Sequence, residues 1–339
     1  METLLAVAPP RPDPAAELID LSNPEDPFQR MKSCSVVTYV ESSLLRLPWS
    51  GLHRRNERGL PFLSLEVPGP APARRWSVTS RDGSLVGTYE RSVFRALEWI
   101  AIDGSLVQGL PFRNPLVVHP REICERLCWR ATQPQFEAIE QAMQSLCRVE
   151  IEESSGRRGT PPRRFGLLRS AIAGTQRVVN RSLTCPQFVV YFDRSFVDSV
   201  NAGRLRPINW GLWIALRDPV AQRLLELIDP EFSAMEGRWT AAIEGDELGR
   251  LLPFAPSLSR SRRRSLLDQA HESLVRRGYL KKVERRSSGA SETFRYHPGS
   301  TFQAMQLRLE RQPGIHSYRR LLRDVLEIAP APISRAVGS

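Results

Sequence analysis

The sequence predicts an α+β chain in which one plan, helix, strand, helix, turn, helix, strand, loop, strand, occurs twice behind a strand-rich amino-terminal segment. Three observations carry that prediction. Helical apolar spacing and short apolar runs alternate in the same order over 88–174 and again over 218–299. In both copies the third helix leads into two runs separated by a polar loop, the pattern of a hairpin. The basic charge is concentrated at those hairpins and at the last of those helices. Residues 154–181 hold seven arginines and no acid, and 260–286 hold ten basic residues against Asp268, Glu272 and Glu284. The two stretches carry +14 of a chain whose net charge is +11, so everything else nets −3. The plan is that of a winged helix, which gives the fold class: two tandem winged-helix domains, with residues 1–30 a disordered lead-in, 31–182 the first domain and its strand-rich segment, 183–312 the second, and 313–339 a helix and tail.

From Lys32 to Thr79, short apolar runs alternate with Pro and Gly and read as strands. TYERSVFRALEWIAI from Thr88 sets Val93, Leu97 and Ile100 at helical spacing. NPLVVHP is a short strand. Pro120 opens a helix with Ile123 and Leu127 on one side, and after a turn at 131–133 another helix runs from Pro134 to Arg148 with Phe136, Ile139, Met143 and Leu146 inward. VEIEE, the loop SSGRRGTPPRR and FGLLRSAIAG complete the first unit. Val189–Phe192 reads as a strand, and Asp193 caps a short helix to Ser199.

The second unit begins where Asp218 caps a helix opened by Pro219, with Leu224, Leu227 and Ile228 inward. RWTAAI is a strand, 245–252 a short helix and PFAPS a turn. The run beginning PSLSRSRRRSLLDQAHES at Pro256 is the third helix, ending at Gly278, and YLKKVERRSS with SETFRYHPG forms a hairpin around 287–290. Residues Ser317–Glu327, with Leu321, Leu322, Val325 and Ile328, predict one more packing helix.

Turning the third helix of the second unit by about 100° per residue places Leu267, Ala270 and Leu274 on the buried side and Arg262, Ser265, Gln269, Glu272 and Arg276 opposite. Arginine can hold guanine and glutamine can hold adenine by paired bonds in the major groove, so Arg262, Ser265, Gln269 and Arg276 are candidate base readers. Ser259, Arg260, Ser261, Arg263 and Arg264 lie at the amino end, where free N–H groups and the helix dipole favour phosphate. Lys281, Lys282, Arg285 and Arg286 occupy the wing as candidate backbone contacts. In the first unit Gln141 and Gln144 are candidate base readers on a helix of little positive charge, and Arg157, Arg158, Arg163 and Arg164 on the hairpin are candidate backbone contacts. A protein interface for that helix is the competing expectation.

Other chemistry finds little footing. The five histidines show no HxH or HExxH spacing, and no GxxxxGK[ST] loop or DxD cluster occurs, which argues against metal or nucleotide hydrolysis and nuclease chemistry. Cys124, Cys128 and Cys147 with His119 lack a CxxC knuckle and read as small buried hydrophobes rather than zinc ligands. Neither cofactor nor metal is expected. The amino terminus has no basic region ahead of its apolar start, no apolar run approaches about 18 residues, and five cysteines suit reduced thiols. The expectation is a cytoplasmic, DNA-associated bacterial protein with no membrane partner.

Three stretches resemble plasmid replication initiators of the RepA and TrfA kind: LRLPWSGLHRR near the start, GSLVGTYERSVFRALEWIAI at the entry to the first unit, and SRRRSLLDQAHESLVRRGYLKKVE in the second. Trp49 and His53 interrupt the family's basic segment, and the first unit's third helix is acid-balanced. The resemblance implies a non-enzymatic, sequence-specific double-stranded DNA-binding initiator that binds repeated origin sites, helps open the duplex and represses its own gene. It further implies recruitment of host replication proteins such as the replicative helicase or initiator, and a homodimer. The alternative is a winged-helix transcriptional repressor without a replication role.

Overall fold

The computed structural model describes residues 37–53, 59–67, 74–108, 111–154, 160–180, 183–233, 240–288 and 291–311. The lead-in, Arg157, Arg158 and the helix expected at Ser317–Glu327 lie outside the described residues.

The amino-terminal segment is built of strands Val37–Glu41 (β1), Phe62–Val67 (β2) and Arg74–Ser80 (β3), with one helical turn, Ser42–Arg46 (α1), between β1 and β2. Glu41 makes α1 by accepting from the Leu44 N–H. The residues that interrupt the basic segment, Trp49 and His53, are core groups at 1% and 5% exposure. Trp49 meets Phe94 edge to face at 5.1 Å. A Cβ at Gly51 would stand 2.3 Å from His53 Nδ1, so only glycine fits beside that ring.

In the first unit the helix Thr88–Gln108 (α2) is followed by Leu116–Val118 (β4), Pro120–Leu127 (α3) and Gln133–Leu146 (α4). Phe136, Ile139, Met143 and Leu146 are buried at the predicted spacing. Strands Val149–Ser154 (β5), Arg163–Gly166 (β6), Leu168–Asn180 (β7) and Leu183–Phe192 (β8) follow. The element order is the predicted one, but the pairing differs from the second unit's. The hairpin β5–β6 joins the amino-terminal strands in the sheet β2-β3-β5-β6, while β4 pairs with β8 in the sheet β4-β8-β7. The stretch read as one strand, FGLLRSAIAG, divides at Leu167, and the expected boundary at 182/183 falls inside the β7–β8 hairpin. A strand of three residues has too few bonds to choose its partner alone, so the long β8 supplies the edge that β4 takes.

The connection runs through Arg194–Asn201 (α5), capped by Asp193, then Leu205–Asn209 (β9), which pairs with β1, and Trp210–Ala215 (α6). The second unit is Pro219–Ser233 (α7), Ala241–Glu244 (β10), Gly245–Leu251 (α8), Arg260–Arg276 (α9), Leu280–Ser288 (β11), Ser291–Pro298 (β12) and Ser300–Arg311 (α10). Asp218 accepts from the Val220 and Ala221 N–H groups, as its place before Pro219 predicts. Its three-stranded sheet has the order β10-β12-β11, so the strand between the first two helices closes against the wing: a winged helix in full. Gly278, at φ +69°, ends α9 with paired bonds from Gly278 N to Val275 O and Tyr279 N to Leu274 O.

One contiguous core runs through both units, from Val40 and Trp49 through Phe94, Leu97 and Trp213 to Leu224, Ala270 and Tyr296. No helix among the described residues is long and apolar enough to cross a membrane.

Candidate nucleic-acid interface

The helix α9 begins at Ser259, whose Oγ accepts from the Arg262 N–H at 3.2 Å. Its buried arc is Ala270, His271 and Leu274. Leu267, expected at the centre of that arc, is only half-buried. The arc turns towards His271 because the wing packs there: His271 Nε2 lies 3.2 Å from the Tyr296 hydroxyl, and its ring lies 5.3 Å from that of Phe294. Burial holds the His271 imidazole down at about 4, so it is neutral and the charge of α9 comes from its outer side.

Arg260, Ser261, Arg262, Arg264, Gln269, Glu272 and Arg276 are exposed and Ser265 is half-buried. Arg260, Arg262, Arg264 and Arg276 have no acidic partner among the described residues. Gln269 Nε2 donates to Ser265 Oγ at 3.4 Å, a long bond that a base edge can replace. Arg263 differs from its neighbours. It is half-buried, and its Nη2 donates to the Ala255 and Pro256 carbonyls, which joins it to the turn ahead of α9.

The wing is less free than its sequence suggests. Lys281 is exposed, whereas Lys282 bonds to Glu284, Arg285 pairs with Glu292, and Arg286 approaches Glu284 at 3.9 Å. The hydrogen bond from Lys282 holds the Glu284 carboxyl below its usual range, so this anion stays in place among the wing cations. In the first unit Arg148 and Arg164 are paired as well. Gln141 and Gln144 are exposed on α4, but Arg148 spans both oxygens of Asp82 at 2.7 and 2.9 Å, and Arg164 pairs with Glu152 at 2.7 Å. Arg163 lies over the Phe165 ring at 5.4 Å. Among the described candidate residues, the cations without an acidic partner are Arg260, Arg262, Arg264 and Arg276 on α9, Lys281 on the wing, and Arg163 in the first unit.

What holds α9 at this angle was not legible in the chain. Leu52 N donates to Pro253 O in the preceding turn at 3.0 Å, so the amino-terminal segment grips the turn directly. At the far end the Tyr279 hydroxyl donates to Asp229 of α7 at 2.6 Å. Burial pushes the Asp229 carboxyl up to about 7, against the hydrogen bond from Tyr279 and the charge of Arg206.

The cysteines and His119 do other work. Cys124 is buried, but Cys128 is exposed at φ +53° at the end of α3, so the expectation of a small buried hydrophobe fails at that position. His119 caps α3, its side chain accepting from Arg121 N while Glu122 accepts from His119 N. Among the described residues no group of three or more His, Cys, Asp or Glu is arranged to hold a metal ion.

No protein-family model matches the sequence, and no curated protein matches it. Among solved structures, domains 2 and 3 of RctB align with a TM-score of 0.52 at 11% identity, covering 76% of this chain and 98% of that one. A second structure of the same two RctB domains aligns at 0.48 and 13% identity over 75% of this chain and 97% of that one. The Pi initiator protein in complex with iteron DNA aligns at 0.38 and 10% identity over 63% and 95%. With the β5–β6 hairpin of its first unit joined to β2 and β3 and a closed wing in its second, this α+β chain has the fold of the paired domains 2 and 3 of RctB.

Proposed function

We propose that the protein is a sequence-specific double-stranded DNA-binding initiator of plasmid replication. It binds repeated sites at an origin mainly through the second unit, with Arg262, Gln269 and Arg276 at base edges and Arg260, Arg264 and Lys281 on phosphates, and makes a second contact through Gln141 and Gln144 of the first unit. The observation that carries duplex reading is the outer side of α9: unpaired arginines interleaved with an exposed glutamine, on the third helix of a closed winged helix. Initiation rather than simple repression is supported by the resemblance of LRLPWSGLHRR and the two later stretches to RepA- and TrfA-like initiators. The protein acts in the cytoplasm without covalent chemistry, opening the duplex by bending it and assembling on repeats, and recruits host replication proteins. Self-association and repression of its own gene complete this reading.

Footprinting on DNA flanking its own gene tests it. Several direct repeats beside an AT-rich stretch are expected; a single inverted repeat over a promoter would replace initiation by repression. Supercoiled DNA carrying those sites, incubated with magnesium or manganese, is expected to stay intact, and a nick would make the protein a strand-cleaving enzyme.

A further inference from the structure

Between the two units the chain buries charge where apolar packing would suffice. Glu226 of α7 is 0% exposed, and its Oε1 accepts from Arg91 and Arg95 of α2 at 3.5 and 3.3 Å and from Trp213 Nε1 at 3.0 Å. Arg223 of the same helix donates to Glu226 Oε2 at 3.1 Å, to the Leu45 carbonyl of α1 and to the Leu251 carbonyl at the end of α8. Arg95 continues the network to Glu98 at 2.6 Å and to Leu44 O, and Glu98 accepts from the Glu41 N–H. Glu41 in turn accepts from Ser199 of α5. Burial raises the Glu226 carboxyl, but the three arginines around it override that and hold it at about 2, so Glu226 is ionised at neutral pH, whereas burial pushes the Glu98 carboxyl up to about 7.

Such a cluster is poor glue, because the desolvation of each ion offsets most of the attraction between them. Its distinctive property is direction. An apolar contact is non-directional and can slide with modest loss, whereas each bond here weakens steeply outside a limited range of distance and angle. The bonds also reach the reading head: Arg223 is fixed to the last carbonyl of α8, and Leu52 N donates to Pro253 O, both at the start of the link into α9.

We propose that Arg91, Arg95, Arg223 and Glu226 form an orientation lock that holds the two winged helices at one angle, so that the protein accepts its DNA contacts at a single spacing. This rests on the reading of the chain as a duplex binder. Arg223 and Glu226 are positioning residues, touching no DNA themselves. Because the two heads move as one body, moving the contacts of one unit half a helical turn away from those of the other forbids simultaneous engagement.

The test is selection from a pool of random duplexes with the full-length protein and with Arg223→Met; Arg91→Met, which gives up only the longest bond to Glu226, serves if the first variant does not fold. The wild type is expected to enrich two contact segments at one spacing, with an insertion of about five base pairs lowering affinity about 100-fold. The variant is expected to enrich the same segments over several spacings, with that penalty reduced to about 5-fold or less. A wild type that tolerates many spacings, or a folded variant confined to one, overturns the lock. If the wild type enriches no sequence, duplex reading itself fails, and amide relaxation decides the lock separately. One tumbling time shared by α2 and α9 in the wild type and two in the variant support it; two in the wild type overturn it.

Discussion

Arg264 and Arg285 make the same addition to a charge count and opposite predictions in solution. Arg264 stands exposed on α9 with no acidic partner among the described residues, whereas Arg285 pairs with Glu292 and lies 5.8 Å from the Phe294 ring centroid. A cation that is free before binding neutralises a phosphate and releases its counterions, adding about 0.9 to the slope of log K against log salt. A cation already neutralised by a carboxylate must leave one anion to meet another, and releases little. With Arg260, Arg264 and Lys281 on the backbone, these three contribute about 2.7 to the slope, and Arg264→Ala removes about 0.9 of it. Between about 50 and 200 mM salt that is about a 3.5-fold smaller loss of affinity for the variant. Arg285→Ala is expected to change the slope by less than about 0.3. The assay is fluorescence anisotropy of a labelled duplex carrying the footprinted site, titrated across that salt range. Equal flattening by the two variants would refute the distinction between free and paired cations, and an unchanged slope for Arg264→Ala would remove that residue from the backbone contacts.

Arg262→Ala and Gln269→Ala are each expected to lose about 1–3 kcal/mol of discrimination at one base position with the salt slope of the other contacts retained, read by competition with single-substituted duplexes. Trp49→Ala, in a site 1% exposed against Phe94, is expected to destabilise the fold by about 3–5 kcal/mol in urea unfolding; a change below about 1 kcal/mol would place Trp49 outside the core. Asp229, held at about 7 by burial, favours the folded state while protonated, and that contribution is lost as pH rises from about 4 through 7. Asp229→Asn keeps the acceptor for Tyr279 without the charge, so its stability relative to wild type should grow by on the order of 4 kcal/mol between about pH 4 and pH 8. A constant difference across that range would contradict the assignment.

The parts of the fold written locally were legible, and the parts settled by distant partners were not. Asp218 and Gly278 mark the start of α7 and the end of α9 because a cap and a left-handed glycine act within a turn of themselves. Arg91, Arg95 and Glu98 look on the sequence like one solvated side of α2. Arg91 and Arg95 are buried because their partner Glu226 arrives from more than 120 residues away, and Glu98 is buried with them between Arg95 and the Glu41 N–H. The same remoteness hid the pairing of Arg148, since Asp82 reaches it only when β3 and β5 are paired. Helical phase alone centred the buried side of α9 on Leu267; the tilt of the wing against His271 moved it. Among the wing cations, Glu284 and Glu292 were visible, but which cation each would take depended on the register of β11 against β12.

The central claim, that the outer side of α9 lies in the major groove, is tested most directly by dimethyl sulfate reactivity at guanine N7, an atom exposed only in that groove. On the selected duplex the wild-type protein should protect a discrete set of guanines, and Arg262→Ala should restore reactivity at one of them while leaving the others protected. Full N7 reactivity across a duplex that the protein demonstrably occupies would contradict the account.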